Sequence, residues 1–189
     1  KELKAIVKFG VGTDNIDLEY CREHDIQVGR CLGTNSNAVA EYTIGMMFNC
    51  ARYMVSDAMC VKNGGWDKPT GMELTGKRVG IIGFGNIGKQ VARMASGIGM
   101  EVYAYDAFEI LEEALEQYHA KRSDIEEILT ECDFITVHVP LTAETEHMIS
   151  EAEFEKMKDT AILINAARGG IVDERALLKA LKEKKIFAC

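Results

Sequence analysis

Six consecutive residues carry the first chemical signal. Gly83-Phe84-Gly85-Asn86-Ile87-Gly88 spaces its glycines as Gly-x-Gly-x-x-Gly. That spacing suits a dinucleotide pyrophosphate held by free backbone N–H groups at a helix N-terminus. Gly83 permits a tight turn, Gly85 lets the backbone approach the phosphates, and Gly88 lets helix and strand pack closely. In a chain with 17 glycines the motif alone is weak, because a plain glycine-rich turn reads the same way. Its position strengthens it: it follows the apolar run Arg78–Ile82 and opens a helical pattern. An acid, Asp106, then closes the run Val102-Tyr103-Ala104-Tyr105. A carboxylate there accepts both hydroxyls of an adenosine ribose and repels a 2′-phosphate, and no arginine follows nearby. The combination favours NAD over NADP. A flavin is the weaker choice, since in flavin enzymes the motif often opens the chain.

The elements that must hold this loop follow from hydrophobic period. Strands are expected at Arg78–Ile82, Glu101–Tyr105, weakly at Ala120-Lys121, at Phe134–Val139, Ala161–Asn165 and from Ile186. Helices are expected at Asn86–Ile98, Phe108–Tyr118, Asp124–Thr130, Ser150–Lys156 and Asp173–Lys184. Ser150 with Glu153 makes a capping box, and Asp124 or Ser123 an N-cap. Strand and helix alternate, and the strands are apolar enough to be covered on both faces. The reading is an α/β fold, a doubly wound parallel Rossmann sheet with right-handed crossovers.

The opening residues read differently. A strand at Ala5–Phe9, a helix at Asn15–His24 and a strand at Ile26–Val28 cannot bury a core by themselves. This opening is therefore expected to be a fragment that leans on something outside itself. Asn37–Val61 reads as one long helix, apolar on more than one side, so it is either buried between two bodies or forms a subunit contact, and a homodimer through it is expected.

Composition narrows the partners. Lys and Arg total 22 against 30 Asp and Glu, a net charge of −8, which disfavours nucleic acid and anionic membranes. No apolar run approaches the roughly 18 residues of a membrane span, and no leader pattern opens the sequence. The six cysteines have neither Cys-x-x-Cys nor zinc-like spacing. No metal is expected, and free thiols in a reducing cytoplasm are the simpler reading.

Five segments in order carry a resemblance: Gly10-Val11-Gly12-Thr13-Asp14-Asn15-Ile16-Asp17; Asn37-Ala38-Val39-Ala40-Glu41; the glycine loop with Asp106; Cys132–Thr142; and Asn165-Ala166-Ala167-Arg168-Gly169-Gly170-Ile171-Val172-Asp173. Over nearly its whole length the chain resembles the NAD-binding part of the D-2-hydroxyacid dehydrogenases, the group that includes D-3-phosphoglycerate dehydrogenase. The last segment is the most specific. The resemblance implies that residues 1–35 are a short fragment of a second α/β domain, the substrate domain, and 36–189 the NAD-binding domain without its last strands.

The resemblance implies roles. Arg168 matches the arginine that holds the carboxylate and carbonyl oxygen of a 2-keto acid; without the family it would read as a surface arginine beside two glycines. Val11 and Gly12 match the turn whose N–H groups also receive that carboxylate. Phe84, Gly85, Asn86 and Ile87 cradle the pyrophosphate. His138, Val139, Pro140 and Thr142 match the stretch lining the adenosine and pyrophosphate side. Ala166, Ala167 and Arg168 lie beside the nicotinamide, with Val39 near its ring. The family's acid–base pair, a histidine oriented by a glutamate, comes after the strand that starts at Ile186. So does its carboxamide-binding aspartate. His24, His119, His138 and His147 do not replace the pair, so this stretch is expected to bind NAD(H) without turning over a 2-hydroxy acid. The rival reading is a non-catalytic, NAD-sensing dimer that recruits protein partners.

Overall fold

A computed structural model describes residues 3–189. The opening segment forms β1 (Ala5–Lys8), α1 (Leu18–Glu23) and β2 (Gln27–Arg30), with the two strands paired in parallel. Asp17 caps α1, its carboxylate accepting the Tyr20 N–H at 2.9 Å. Between residues 3 and 35 Cys21 alone is fully buried, as the shortage of core residues there predicts.

Two helices follow, α2 (Ser36–Arg52) and α3 (Met54–Lys62). The single helix expected over Asn37–Val61 is therefore broken at Tyr53, whose φ of 56° is left-handed. Three contacts explain the break. The Tyr53 N–H donates to the Asn49 carbonyl, closing α2. The Asn49 side chain accepts from Val55 N–H at 2.9 Å, starting α3. The Met72 N–H takes the Ala51 carbonyl at 2.9 Å, so a loop from elsewhere satisfies the helix end.

The main sheet contains β3 (Arg78–Ile82), β4 (Glu101–Tyr105), β5 (Ala120–Arg122), β6 (Phe134–Val137) and β7 (Ile162–Asn165). Its order is β5-β4-β3-β6-β7, every pair parallel. The connecting helices are α4 (Asn86–Gly97), α5 (Glu112–Gln117), α6 (Ile125–Glu131), α7 (Glu151–Phe154) and, after β7 and a 3₁₀ turn at Gly169–Ile171, α8 (Glu174–Lys182). The chain steps outward from β3 to β5, then crosses back to β6 and β7. The strand order reverses between β3 and β6, and a crevice opens there at the carboxyl ends of the strands.

Alternation along each strand builds a core on both faces. Val79, Ile81, Phe134 and Ile162 pack with Met47, Val91 and Ala95 from α2 and α4. Ile82, Ile135, Val137 and Leu163 pack with Ile128, Leu129 and Phe154 on the other side. Burying each such side chain contributes roughly 1.5–3 kcal/mol. The expected caps are present: Asp124 accepts from Glu127 N–H at 2.8 Å, and Ser150 and Glu153 complete a capping box. The helix expected from Phe108 is shorter, starting at Glu112, because the Phe108 N–H donates to its neighbour Asp106 at 3.0 Å. Beyond α8, Ala188 makes a parallel bridge to Ile162, where a further strand was expected to begin.

Candidate functional site

The glycine loop lies where β3 meets α4. Gly83 has φ +100°, and a side chain there would stand 2.7 Å from the His138 carbonyl carbon. A side chain on Gly88 would run into the Gly83 carbonyl, so this glycine is what lets α4 start against its strand. Gly85, the residue preceding α4, is different: a side chain there would meet no protein atom within 4 Å. Nothing in the fold requires that glycine, but a ligand approaching the bare backbone would. The first turn of α4 carries no acid that would cancel its positive end.

Asp106 ends β4 as expected, with its carboxylate drawn into the loop. One oxygen accepts the Phe84 N–H at 2.7 Å and the other the Phe108 N–H at 3.0 Å. Each oxygen keeps a free lone pair, and Asp106 lines a hollow of about 280 Å³ together with Phe84, Lys89 and Phe108. Lys89 brings to the same hollow a cation that the glycine motif does not mark.

A second cavity, of about 520 Å³, opens at the switch point between β3 and β6. It brings together ten of the predicted residues: Val11, Gly12, Val39, Ile87, His138, Val139, Pro140, Ala166, Ala167 and Arg168. Phe84 and Asp106 face the adjacent hollow, and Asn86 faces another, open surface beside Gly33 and Lys89. Thr142 does not line the cavity; its N–H donates to the Thr145 hydroxyl at 2.8 Å in a surface turn. Thr13, Asp14, Arg30, Asn35 and Leu141 line it without having been predicted.

Arg168 is held from three sides. Its Nε donates to Asp14 Oδ2 at 2.9 Å and its Nη1 to the Ala167 carbonyl at 2.9 Å. Asn165 braces the loop beneath it, donating to the Arg168 carbonyl at 2.8 Å and accepting from the Ala167 N–H at 3.1 Å. A side chain on Gly12 would collide with Arg168 Nη2, so that glycine makes room for the guanidinium. The Arg168 hydrogen bond holds the exposed Asp14 carboxyl below the usual aspartate range. The arginine is thus a fixed, partly exposed fork beside the Gly10–Gly12 turn, able to take a planar anion.

His138 is the one histidine on this cavity. Burial pushes its imidazole down to about 4, so it is neutral at pH 7. Its Nε2 lies 2.9 Å from the Thr136 hydroxyl, and its buried Nδ1 has no protein partner. His24 instead stacks on Tyr20, at 3.9 Å between ring centroids, on α1. Among the described residues no group of three or more His, Cys, Asp or Glu could hold a metal. All six cysteines are free thiols. No helix among the described residues is long and apolar enough to cross a membrane.

Comparison with known proteins gives this geometry a context. Residues 44–189 match the family model for the D-isomer specific 2-hydroxyacid dehydrogenase, NAD binding domain. A hydroxypyruvate reductase from Thermotoga maritima is 40% identical over 190 residues, covering 100% of this chain and 61% of that protein. A D-3-phosphoglycerate dehydrogenase from Methanocaldococcus jannaschii is 44% identical over 191 residues, covering 100% of this chain and 36% of that protein. Among solved structures, the D-lactate dehydrogenase from Aquifex aeolicus complexed with NAD and lactic acid superposes with a TM-score of 0.87 at 35% identity, covering 98% of this chain and 56% of that one. The chain therefore spans less than two thirds of the length of these relatives.

Proposed function

This chain belongs to the D-isomer-specific 2-hydroxyacid dehydrogenases as their NAD-binding part, and from that premise we propose that the protein carrying it interconverts a D-2-hydroxy acid and a 2-keto acid. One observation carries the proposal. The fixed Arg168 fork, the Gly10–Gly12 turn and the first turn of α4, through Ile87, share one cavity at the switch point.

The residues fit the cofactor. The uncancelled start of α4, the empty space before Gly85 and the free lone pairs of Asp106 suit a pyrophosphate and an adenosine ribose. When bound, NAD supplies the hydride acceptor or donor. In this reading Phe84 to Ile87 hold the phosphates, and Val39, Ala166 and Ala167 border the nicotinamide. The Val11 and Gly12 N–H groups and Arg168 receive the substrate carboxylate. Arg168 also stabilises charge growing on the keto oxygen as hydride arrives at C2, and orients the hydroxy acid in reverse. His138 is a poor proton carrier at neutral pH, so it lines the cofactor instead. The proton step is assigned to the family's histidine–glutamate pair in the whole protein.

Residues 1–35 are assigned to the substrate domain, because their apolar side chains lack a core of their own. A cytoplasmic location is part of the same reading, supported by the six free thiols. A homodimer through residues 37–61 is supported by α3, which has no buried residue and exposes Met54, Val55, Met59 and Val61. Micromolar light scattering should give twice the chain mass, and a monomer would remove this part of the proposal.

NADH binding followed by calorimetry tests the cofactor assignment. Asp106→Ala should weaken NADH about tenfold, the value of a charge-assisted hydrogen bond. It should also admit NADPH, whose 2′-phosphate then meets Lys89 in the same hollow. Unchanged NADH affinity would take the ribose contact away from Asp106.

A further inference from the structure

Arg168 shares its cavity with a second arginine. Arg30, the last residue of β2, also lines it. Arg30 has no ion pair among the described residues. Its register partner on β1 is Lys8, so two cations stand side by side on the small sheet, an arrangement that repels. Lys8 is occupied elsewhere, its Nζ donating to Asn15 Oδ1 at 3.0 Å. Among the described residues Asp14 is the sole acid lining the cavity, and it is committed to Arg168. Arg30 therefore offers an unspent guanidinium to whatever enters.

Its place in the fold says which part of the contents it reaches. The Cys31 N–H, one residue on, donates to the Gly10 carbonyl at 3.1 Å. This ties Arg30 to the turn that carries Gly12 and Asp14, and not to the phosphate-binding start of α4. The carboxylate and keto oxygen of a 2-keto acid are already served by Arg168 and that turn. A second planar fork beside them suits an anion at the far end of the same molecule. Resting on the dehydrogenase reading above, we propose that Arg30 is a specificity residue that selects 2-keto acids bearing a second anionic group, carboxylate or phosphate.

The test is kcat/KM of the whole protein with NADH on three sets of substrates. Pyruvate and hydroxypyruvate carry one charge group. Oxaloacetate and 2-ketoglutarate add a carboxylate. The phosphorylated analogue of hydroxypyruvate adds a phosphate. The protein should favour one of the latter two sets, and which one identifies the second anion. Arg30→Gln should lower kcat/KM on that set about ten- to a hundredfold, as expected for a lost charged hydrogen bond. It should change the singly charged acids less than about threefold and leave the KM for NADH in place. Arg30→Lys should recover part of the loss by keeping the charge. Equal losses on all three sets, no loss on any, or a raised KM for NADH would overturn the assignment while leaving the dehydrogenase reading intact. Turnover of no 2-keto acid at all would remove that reading and the assignment with it.

Discussion

Two parallel sheets in one chain are built to opposite standards. In β6 all four residues are buried, whereas in β1 the sequence Ala5-Ile6-Val7-Lys8 alternates between exposed and half-buried. Val7 is 77% exposed and the following Phe9 96%, while Phe134 is fully buried. A side chain on Gly29 of β2 would meet nothing closer than 3.9 Å, but one on Gly80 of β3 would strike Ile128. The main sheet carries the stability. The small sheet contributes a turn, an acid and an arginine to the cavity. The lesson is that the site is assembled at the seam, with its rigid half supplied by burial and its chemical half by a layer that has little core of its own.

The largest effect that could break this contrast is a pair of truncations. Phe134→Ala should cost about 3–5 kcal/mol in urea unfolding, the usual value for deleting a buried aromatic. Val7→Ala should cost less than about 0.5 kcal/mol. Comparable losses at the two sites would mean that the small sheet is as well packed as the large one.

A smaller effect concerns the seam. Burial holds the His138 imidazole down at about 4 in the folded chain, below the 6.5 of a free imidazole. Between those values the unfolded chain binds a proton that the folded one refuses, so stability rises with pH across the interval. The contribution is fully present above about pH 6.5 and is lost as pH falls toward 4, in total about 3 kcal/mol. The acid sensitivity of unfolding between pH 7 and 4.5 should therefore shrink in His138→Gln. An identical pH profile in the variant would show that the imidazole is not held neutral by burial.

The large sheet was legible because its signals are local. β-Branched runs gave the strands, period gave the helices, and the Gly83–Gly88 loop named its own neighbours. What escaped depends on partners far along the chain. Tyr53 carries no glycine or proline signal, and α2 ends there partly because Met72 takes the Ala51 carbonyl. Lys89 lines the same hollow as Asp106 only through the packing of α4 against β4. Asp14 looked like one acid in a turn until the fold set it against Arg168. Arg30 was unremarkable in sequence, one of 22 basic residues. Its significance comes from the cavity it borders.

The Arg168–Asp14 pair joins residues 154 positions apart. Closing a flexible loop of that length costs on the order of 4 kcal/mol in chain entropy. An exposed ion pair contributes about 0.2–1 kcal/mol. The pair therefore cannot draw its two ends together, and it closes only after the intervening strands have already done so. The anion fork is a late product of folding, and a partly folded chain presents no such site.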